Sequence, residues 1–181
     1  VLFWLLQDPA SINLGYRALA DRANVALGNL PILFKALEAE GFLVKLDAKH
    51  WRLVQVDRLL DIWLQEFGRR LKPAMFLGRF LPAQAGFRQG WKDLELQNGD
   101  IWGGEPGADL LTNYLVPTAF TLYSNAPRVE IVKNYRWTPQ AAGSIAVYRK
   151  FWKDDPLLDE KAKPLLAYAD LMESGDERGR E

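Results

Sequence analysis

Apolar positions recur at helical spacing through the N-terminal part of the chain. Tyr16, Leu19, Ala20 and Ala23 form one stripe, and Leu30, Leu33, Phe34 and Leu37 form a second. Asn24 and Val25 separate the two as a short turn. Gly41 is placed to stop the second helix, because a helix C-terminus favours a residue free to adopt left-handed backbone. The period then changes. Phe42, Val44 and Leu46 alternate with polar neighbours, as do Trp51 and Leu53, which predicts a hairpin with Asp47 to His50 as its loop. Val1 to Leu6 is an apolar run closed by Asp8 and Pro9, and reads as an earlier helix. Helix, turn, helix and two strands is the order of a winged helix-turn-helix, which lays its second helix in the major groove of DNA. Residues 1–56 are assigned to this domain.

Asp57 is suited to cap a helix running to about Leu71, with Leu59, Leu60, Trp63, Phe67 and Leu71 as its apolar stripe. Lys72 and Pro73 end it, so 57–73 is read as a linker helix and 74–181 as a second domain. Within that domain, Ala74 to Phe80 is a predicted strand and Pro82 to Gly90 a loop. Leu94 and Leu96, alternating with Asp93 and Glu95, predict a half-buried strand ending in an Asn98–Gly99 turn. Gly103 and Gly104 permit a tight turn before a helix with Pro106 at its first position and Leu110, Leu111, Tyr114 and Leu115 as its buried face. Phe120 to Tyr123 reads as a strand, and Val129 to Asn134 as either strand or short helix. Tyr135 to Trp137 and Ile145 to Tyr148 read as strands around a Pro139–Gly143 loop. Pro164 to Met172 is a predicted helix, and Gly175–Asp176 caps a further one. Helices interrupting strands give an α+β chain: an N-terminal winged helix-turn-helix followed by a mixed α/β C-terminal domain.

Composition narrows the chemistry. The 181 residues include no Cys and a single His, His50. Disulfides, thiolate metal sites and thiol nucleophiles are excluded, and neither a His-clustered metal site nor a Ser-His-Asp triad is expected. No apolar run is long enough to cross a membrane, and the first residues lack the basic start and cleavage site of a signal peptide; the absence of Cys fits a cytoplasmic location. Neither end reads as a natural terminus. Net charge is zero, but its distribution is uneven: residues 57–90 carry six basic against three acidic groups, and 91–181 carry eleven against fifteen. A DNA-facing surface would therefore use the N-terminal half.

On the second helix Asn29 can make a bidentate base contact, and Lys35 is its one cation. Arg17, Lys45, Lys49, His50 and Arg52 are candidates for phosphate contacts. Pro31, which lacks an N–H, is tolerable only in the first turn, so the helix must begin near Leu27 or Gly28. Other chemistry has thinner support. Asp93 and Glu95, two apart on a strand, would face one side and could hold Mg²⁺ for phosphoryl or nucleotidyl transfer, although a solvated strand face has the same pattern. Gly103–Gly104 before a helix could offer amides to a phosphate, but Glu105 would repel an anion there, which favours a plain turn. Asp170 is either a helix-surface or a buried hydrogen-bonding residue, and Asp176 an N-cap. Trp63, Trp91, Trp102, Trp137 and Trp152 are expected to fill the core. No cofactor is expected.

The segments LELQNGDIWGGEPGADLLTNYLVPTAFTLYS, VYRKFW and PLLAYADLMESGDERGRE, with VALGNLPILFKALEAEGFL and the LGRF at Leu77–Phe80, resemble the bacterial AbiEi family. These are antitoxins of type IV abortive-infection toxin–antitoxin systems, also described as transcriptional regulators. The resemblance spans nearly the whole chain. It implies a double-stranded DNA partner, the operator of the protein's own operon, bound as a homodimer or on paired half-sites. It also implies that the C-terminal domain antagonises a nucleotidyltransferase-type toxin without a lasting complex, and that the protein is not an enzyme. A metal-dependent transferase using Asp93 and Glu95, or an interaction module whose winged helix no longer binds DNA, are the alternatives.

Overall fold

The computed structural model describes residues 1–97, 99–153 and 155–174. The chain divides into two compact units: residues 1–66 with 151–153, and residue 67 onward without that tripeptide.

The first unit contains α1 (Leu2–Gln7), a 3₁₀ turn at Pro9–Asn13, α2 (Tyr16–Arg22), α3 (Asn29–Ala39), strands β1 (Leu43–Lys45) and β2 (Trp51–Leu53), and α4 (Val56–Glu66). Both helices of the α2–α3 pair end in the same way. After α2, Asn24 adopts φ +51°, and the Val25 amide reaches back to the Ala20 carbonyl at 3.0 Å. After α3, Gly41 adopts φ +75°, and the Phe42 amide reaches the Leu37 carbonyl at 2.8 Å. This left-handed cap satisfies carbonyls that the helix leaves open and turns the chain sharply. β1 and β2 pair antiparallel, with Leu43 opposite Leu53. Leu19, Leu30, Phe34, Leu37, Phe42 and Leu53 bury against one another. A second apolar cluster surrounds Phe3, whose ring stacks on Trp152 and meets the edges of Trp4 and Phe151.

The second unit begins with a π-helical turn at Phe67–Leu71, followed by α5 (Lys72–Ala74), β3 (Phe76–Leu81), α6 (Phe87–Gly90) and a 3₁₀ turn at Trp91–Asp93. Then come β4 (Ile101–Gly103), α7 (Gly104–Thr112), β5 (Phe120–Ser124), α8 (Arg128–Tyr135), β6 (Thr138–Pro139), β7 (Ile145–Arg149) and α9 (Pro156–Ser174). The five strands form one mixed sheet in the order β4-β5-β7-β3-β6, with β5 and β7 parallel and the other pairs antiparallel. Strand alternation sorts the two faces. Phe120 and Leu122 of β5, with Ile145 and Val147 of β7, join Phe80, Trp91, Trp102 and Trp137 in the main core. Thr121, Tyr123, Ala146 and Tyr148 point the other way, and α7 packs on α9 through Ala108, Ala167 and Leu171.

Several elements depart from expectation. Leu43 is buried while Val44 and Leu46 are exposed, so the strand's alternation is not the one read from Phe42. α3 begins at Asn29, slightly later than Pro31 was taken to require, with Pro31 in its first turn. α4 starts at Val56, which puts Asp57 inside the first turn rather than at the cap. The expected linker helix 57–73 is divided: α geometry gives way to π geometry at Phe67, and the two compact units part at the same place. The Pro82–Gly90 loop contains α6. No strand forms at Asp93–Leu96, where Trp91 is buried and the chain continues as a 3₁₀ turn and coil. Val129–Asn134 is helical, and Tyr135 ends that helix instead of starting a strand. α9 starts eight residues before Pro164, with the Asp155 carboxylate accepting the Leu157 amide at 2.9 Å. Asn98 and Gly175–Asp176 lie outside the described residues.

The largest correction concerns α7. Leu110, Leu111 and Tyr114 are exposed, and the buried side is Gly104, Pro106, Gly107, Ala108 and Asp109. A Cβ on Gly107 would stand 2.9 Å from the Trp102 carbonyl oxygen, so the helix packs backbone-close and only small residues fit beneath it. Trp63, Trp91, Trp102, Trp137 and Trp152 are all buried, as expected.

Candidate nucleic-acid interface

The seven candidate DNA-contacting residues, Arg17, Asn29, Lys35, Lys45, Lys49, His50 and Arg52, are all exposed in the first unit. They fall into two sets and one outlier. Asn29 and Lys35 ride on α3, and Lys45, Lys49, His50 and Arg52 on the hairpin, while Arg17 stands alone on α2. Pairing places Val44 opposite Arg52 and Lys45 opposite Trp51, with the Lys45 ammonium 5.5 Å from the Trp51 ring centroid. Among the described residues, no carboxylate lies within ion-pair distance of Arg17, Lys35, Lys45, Lys49 or Arg52.

Asp47 organises the hairpin loop. One carboxylate oxygen accepts the amides of Lys49 at 2.8 Å and His50 at 2.9 Å, and the other lies 2.7 Å from His50 Nδ1. The Lys49 amide, then the His50 ring, hold the Asp47 carboxyl down at about 2. Nδ1 is thereby occupied, which leaves Nε2 as the ring atom open to a partner. Asn13 fastens the base of the hairpin: its side-chain amide donates to the Trp51 carbonyl at 3.0 Å and accepts the Trp51 amide at 2.7 Å. Neither Asn13 nor Ile32, which stands outward on α3, was singled out from sequence. Ile32 was legible there, since it lies across the helix from Leu30, Phe34 and Leu37.

The second unit holds a polar cleft of about 330 Å³ lined by Lys72, Arg79, Thr121, Tyr148, Asp170 and Glu173, among others. Lys72, Asp170 and Glu173 satisfy one another, while Arg79 donates to the Gly143 carbonyl at 3.2 Å. Lys72 Nζ lies 2.9 Å from Asp170 and 2.8 Å from Glu173, and 5.2 Å from the Tyr148 ring centroid. Asp170 also accepts the Gly104 amide at 2.9 Å and the Tyr123 hydroxyl at 2.8 Å. Burial pushes the Asp170 carboxyl up, against the pull of Lys72. Burial alone would depress Lys72, but Asp170 and Glu173 together raise it. The two family-like segments WGGEP and YADL thus meet at one point. A Cβ on Gly103 would collide with Asp170 and come within 2.7 Å of the Tyr123 ring, and Gly104 has φ +54°. The glycines admit Asp170, and the Gly104 amide is spent on it rather than on a phosphate. Glu105 is likewise engaged, accepting the Thr118 amide at 2.6 Å.

Asp93 and Glu95 do not form a metal pair on a strand, because the strand is absent. Asp93 lies in a 3₁₀ turn and Glu95 in coil, both exposed. Among the described residues no group of three or more metal-ligating side chains assembles, and no helix is long and apolar enough to cross a membrane.

No curated protein and no solved structure matches the chain. A family model does, over residues 52–181, and its description reads transcriptional regulator, AbiEi antitoxin, type IV TA system. That span covers α4 and the entire mixed-sheet unit with its WGGEP–YADL junction, and on it the chain belongs to the AbiEi family of antitoxin transcriptional regulators of type IV toxin–antitoxin systems.

Proposed function

We propose that this protein binds duplex DNA through residues 1–56, acting as a winged helix-turn-helix, and represses its own operon. Residues 57–73 connect that domain to residues 74–181, which antagonise a nucleotidyltransferase-type toxin. The observation that carries the reading is the helix–turn–helix–hairpin order with cations on both α3 and the hairpin that have no carboxylate partner among the described residues. α3 enters the major groove, and Lys45, Lys49, His50 and Arg52 reach phosphates from the wing. Arg17 makes a further backbone contact. Paired half-sites engage a homodimer. On the other unit, the exposed apolar side chains of Leu110, Leu111, Tyr114 and Val116 suit contact with a protein such as the toxin.

A titration tests this. The full chain is mixed with the DNA upstream of its own operon and with a scrambled duplex, at two salt concentrations, as wild type and as a Lys35→Ala/Lys49→Ala/Arg52→Ala variant. The expected result is tighter binding to the upstream DNA, with the triple variant weaker and its salt slope smaller by roughly three. Equal binding to both duplexes, unchanged in the variant, overturns the repressor reading and leaves the first unit as a protein-interaction module.

A further inference from the structure

On α3 the buried stripe is Leu30, Phe34 and Leu37, with Leu33 partly covered. At about 100° per residue, the direction opposite that stripe is occupied by Ile32, with Asn29 and Lys35 about 60° to either side. Ile32 is 71% exposed, more than any other large apolar residue of the first unit. Its side chain adds nothing to the core and stands at the centre of the outward face, between Asn29 and Lys35. The flanking groups point to the occupant. Lys35 and the hairpin cations Lys45, Lys49 and Arg52 have no ion-pair partner among the described residues, which fits a polyanion. Asn29, on the turn before Ile32, offers one donor and one acceptor side by side, the complement of an adenine's major-groove edge.

We infer that Ile32 is a base-reading residue whose side chain packs on the C5-methyl group of a thymine, beside an adenine held by Asn29. The inference rests on the DNA-binding reading above and adds to it the bases that α3 selects. In the major groove only thymine presents a methyl group, and apolar side chains are what recognise it. Adjacent turns of one helix reach adjacent base pairs, so Asn29 and Ile32 together select a short A·T-containing step within each half-site. The adenine contact is by hydrogen bonds and the thymine contact by exclusion of water from two apolar surfaces.

The test separates this inference from the reading beneath it. The site is footprinted on the upstream DNA, and each thymine of a duplex carrying it is replaced singly by deoxyuridine, which removes only the methyl group. Wild-type protein is expected to bind about four-fold more weakly at one or two of these positions, the worth of one buried methyl group. Ile32→Ala should bind the thymine and uracil duplexes equally there, with an unchanged unfolding midpoint because the side chain is exposed. Ile32→Val should keep most of the discrimination. If binding is sequence-preferring but no deoxyuridine weakens it, Ile32 does not read a thymine and only this inference fails. If there is no sequence preference at all, the repressor reading fails and the inference falls with it.

Discussion

Lys35, Lys49 and Arg52 of the first unit stand in solvent with no carboxylate in reach among the described residues, whereas Lys72, Lys92 and Lys150 of the second unit each hold one at 2.6 to 2.9 Å. Lys72 and Lys150 are buried, and so are their partners Asp170 and Asp159. The same residue types therefore serve opposite ends. In the first unit the charges cost nothing to keep hydrated and remain available to a partner. Lys72 and Lys150 of the second unit are desolvated, and only close pairing offsets that penalty. A cluster of charges in a cleft invites a functional reading, but here Lys72, Asp170 and Glu173 are committed to one another, whereas the candidate cations on α3 and the hairpin have no carboxylate partner among the described residues.

The largest effect that can break this contrast comes from Asp170. Replacing it with Ala removes the carboxylate that accepts the Gly104 amide and the Tyr123 hydroxyl and strips one of the two carboxylates from buried Lys72. A loss of about 3–5 kcal/mol in unfolding free energy is expected. Asp170→Asn, which keeps an acceptor, should cost less. Combining Asp170→Asn with Lys72→Met should cost less than the two single changes added, by about 1 kcal/mol or more, because the groups are in contact. Denaturant unfolding gives these energies, and amide exchange followed by mass spectrometry shows where they act. Faster exchange confined to residues 67–150 and 155–174 upholds the contrast. Equal acceleration throughout residues 1–66 would show that the second unit's ion pairs also stabilise the first.

A smaller effect follows from pH. Burial raises the Tyr123 hydroxyl well above its ordinary value near 10.0, with the neighbouring Asp170 charge adding to the shift. Tyr135 and Tyr148 are raised in the same direction, again first by burial. Lys72 is raised above 10.5. The folded state thus holds these protons more tightly than the unfolded chain. Their stabilising contribution is complete below the unfolded values and is lost as pH rises toward the folded ones. Stability should fall from about pH 10 upward, with Tyr123 contributing at most about 1.4 kcal/mol per pH unit. All four groups lie in the second unit, so the exchange of its amides should accelerate first. An alkaline transition that begins in residues 1–66 would contradict the assignment.

What sequence made legible follows from the range of the interactions. Helix stops at Asn24 and Gly41 are local events, set by one residue's access to left-handed backbone, and were read correctly. The runs FTLYS and IAVYR have the β-branched and aromatic content of central strands, and they are central. On α7 apolar size points to the wrong face, because contact with the Trp102 backbone selects for the absence of a side chain at Gly107. The Asp93–Leu96 alternation failed because buried Trp91 holds the chain in a turn just before it. The Lys72–Asp170 pair and the return of Phe151–Lys153 to the first unit join distant parts of the chain, and no local pattern encodes them. The candidate DNA-contacting residues chosen from sequence are all exposed, as charged and amide side chains usually are. Ile32 lies outside the Leu30, Leu33, Phe34 and Leu37 stripe, and the helical period alone leaves it facing outward.

The smallest expected effect sharpens the contrast from the first unit's side. Asp47 is the one carboxylate inside the hairpin loop, and it acts through the Lys49 and His50 amides and the His50 ring. Its carboxyl is held down at about 2, so these contacts persist at any pH above the ordinary carboxylate range and are lost only as pH falls through that value. Asp47→Asn keeps an acceptor for the two amides but removes a negative charge from a loop that is proposed to lie against phosphates. At low salt the variant should bind the upstream DNA a few-fold more tightly, and the gain should vanish as salt screens it. Asp47→Ala removes charge and acceptor together. It should leave the unfolding midpoint unmoved, speed exchange at the Lys49 and His50 amides, and gain less affinity than Asp47→Asn, because a disordered loop must be ordered again on binding. Titrations of both variants at two salt concentrations read this directly. No change in DNA affinity for either variant would mean that the hairpin's charges, though free, do not face the polyanion.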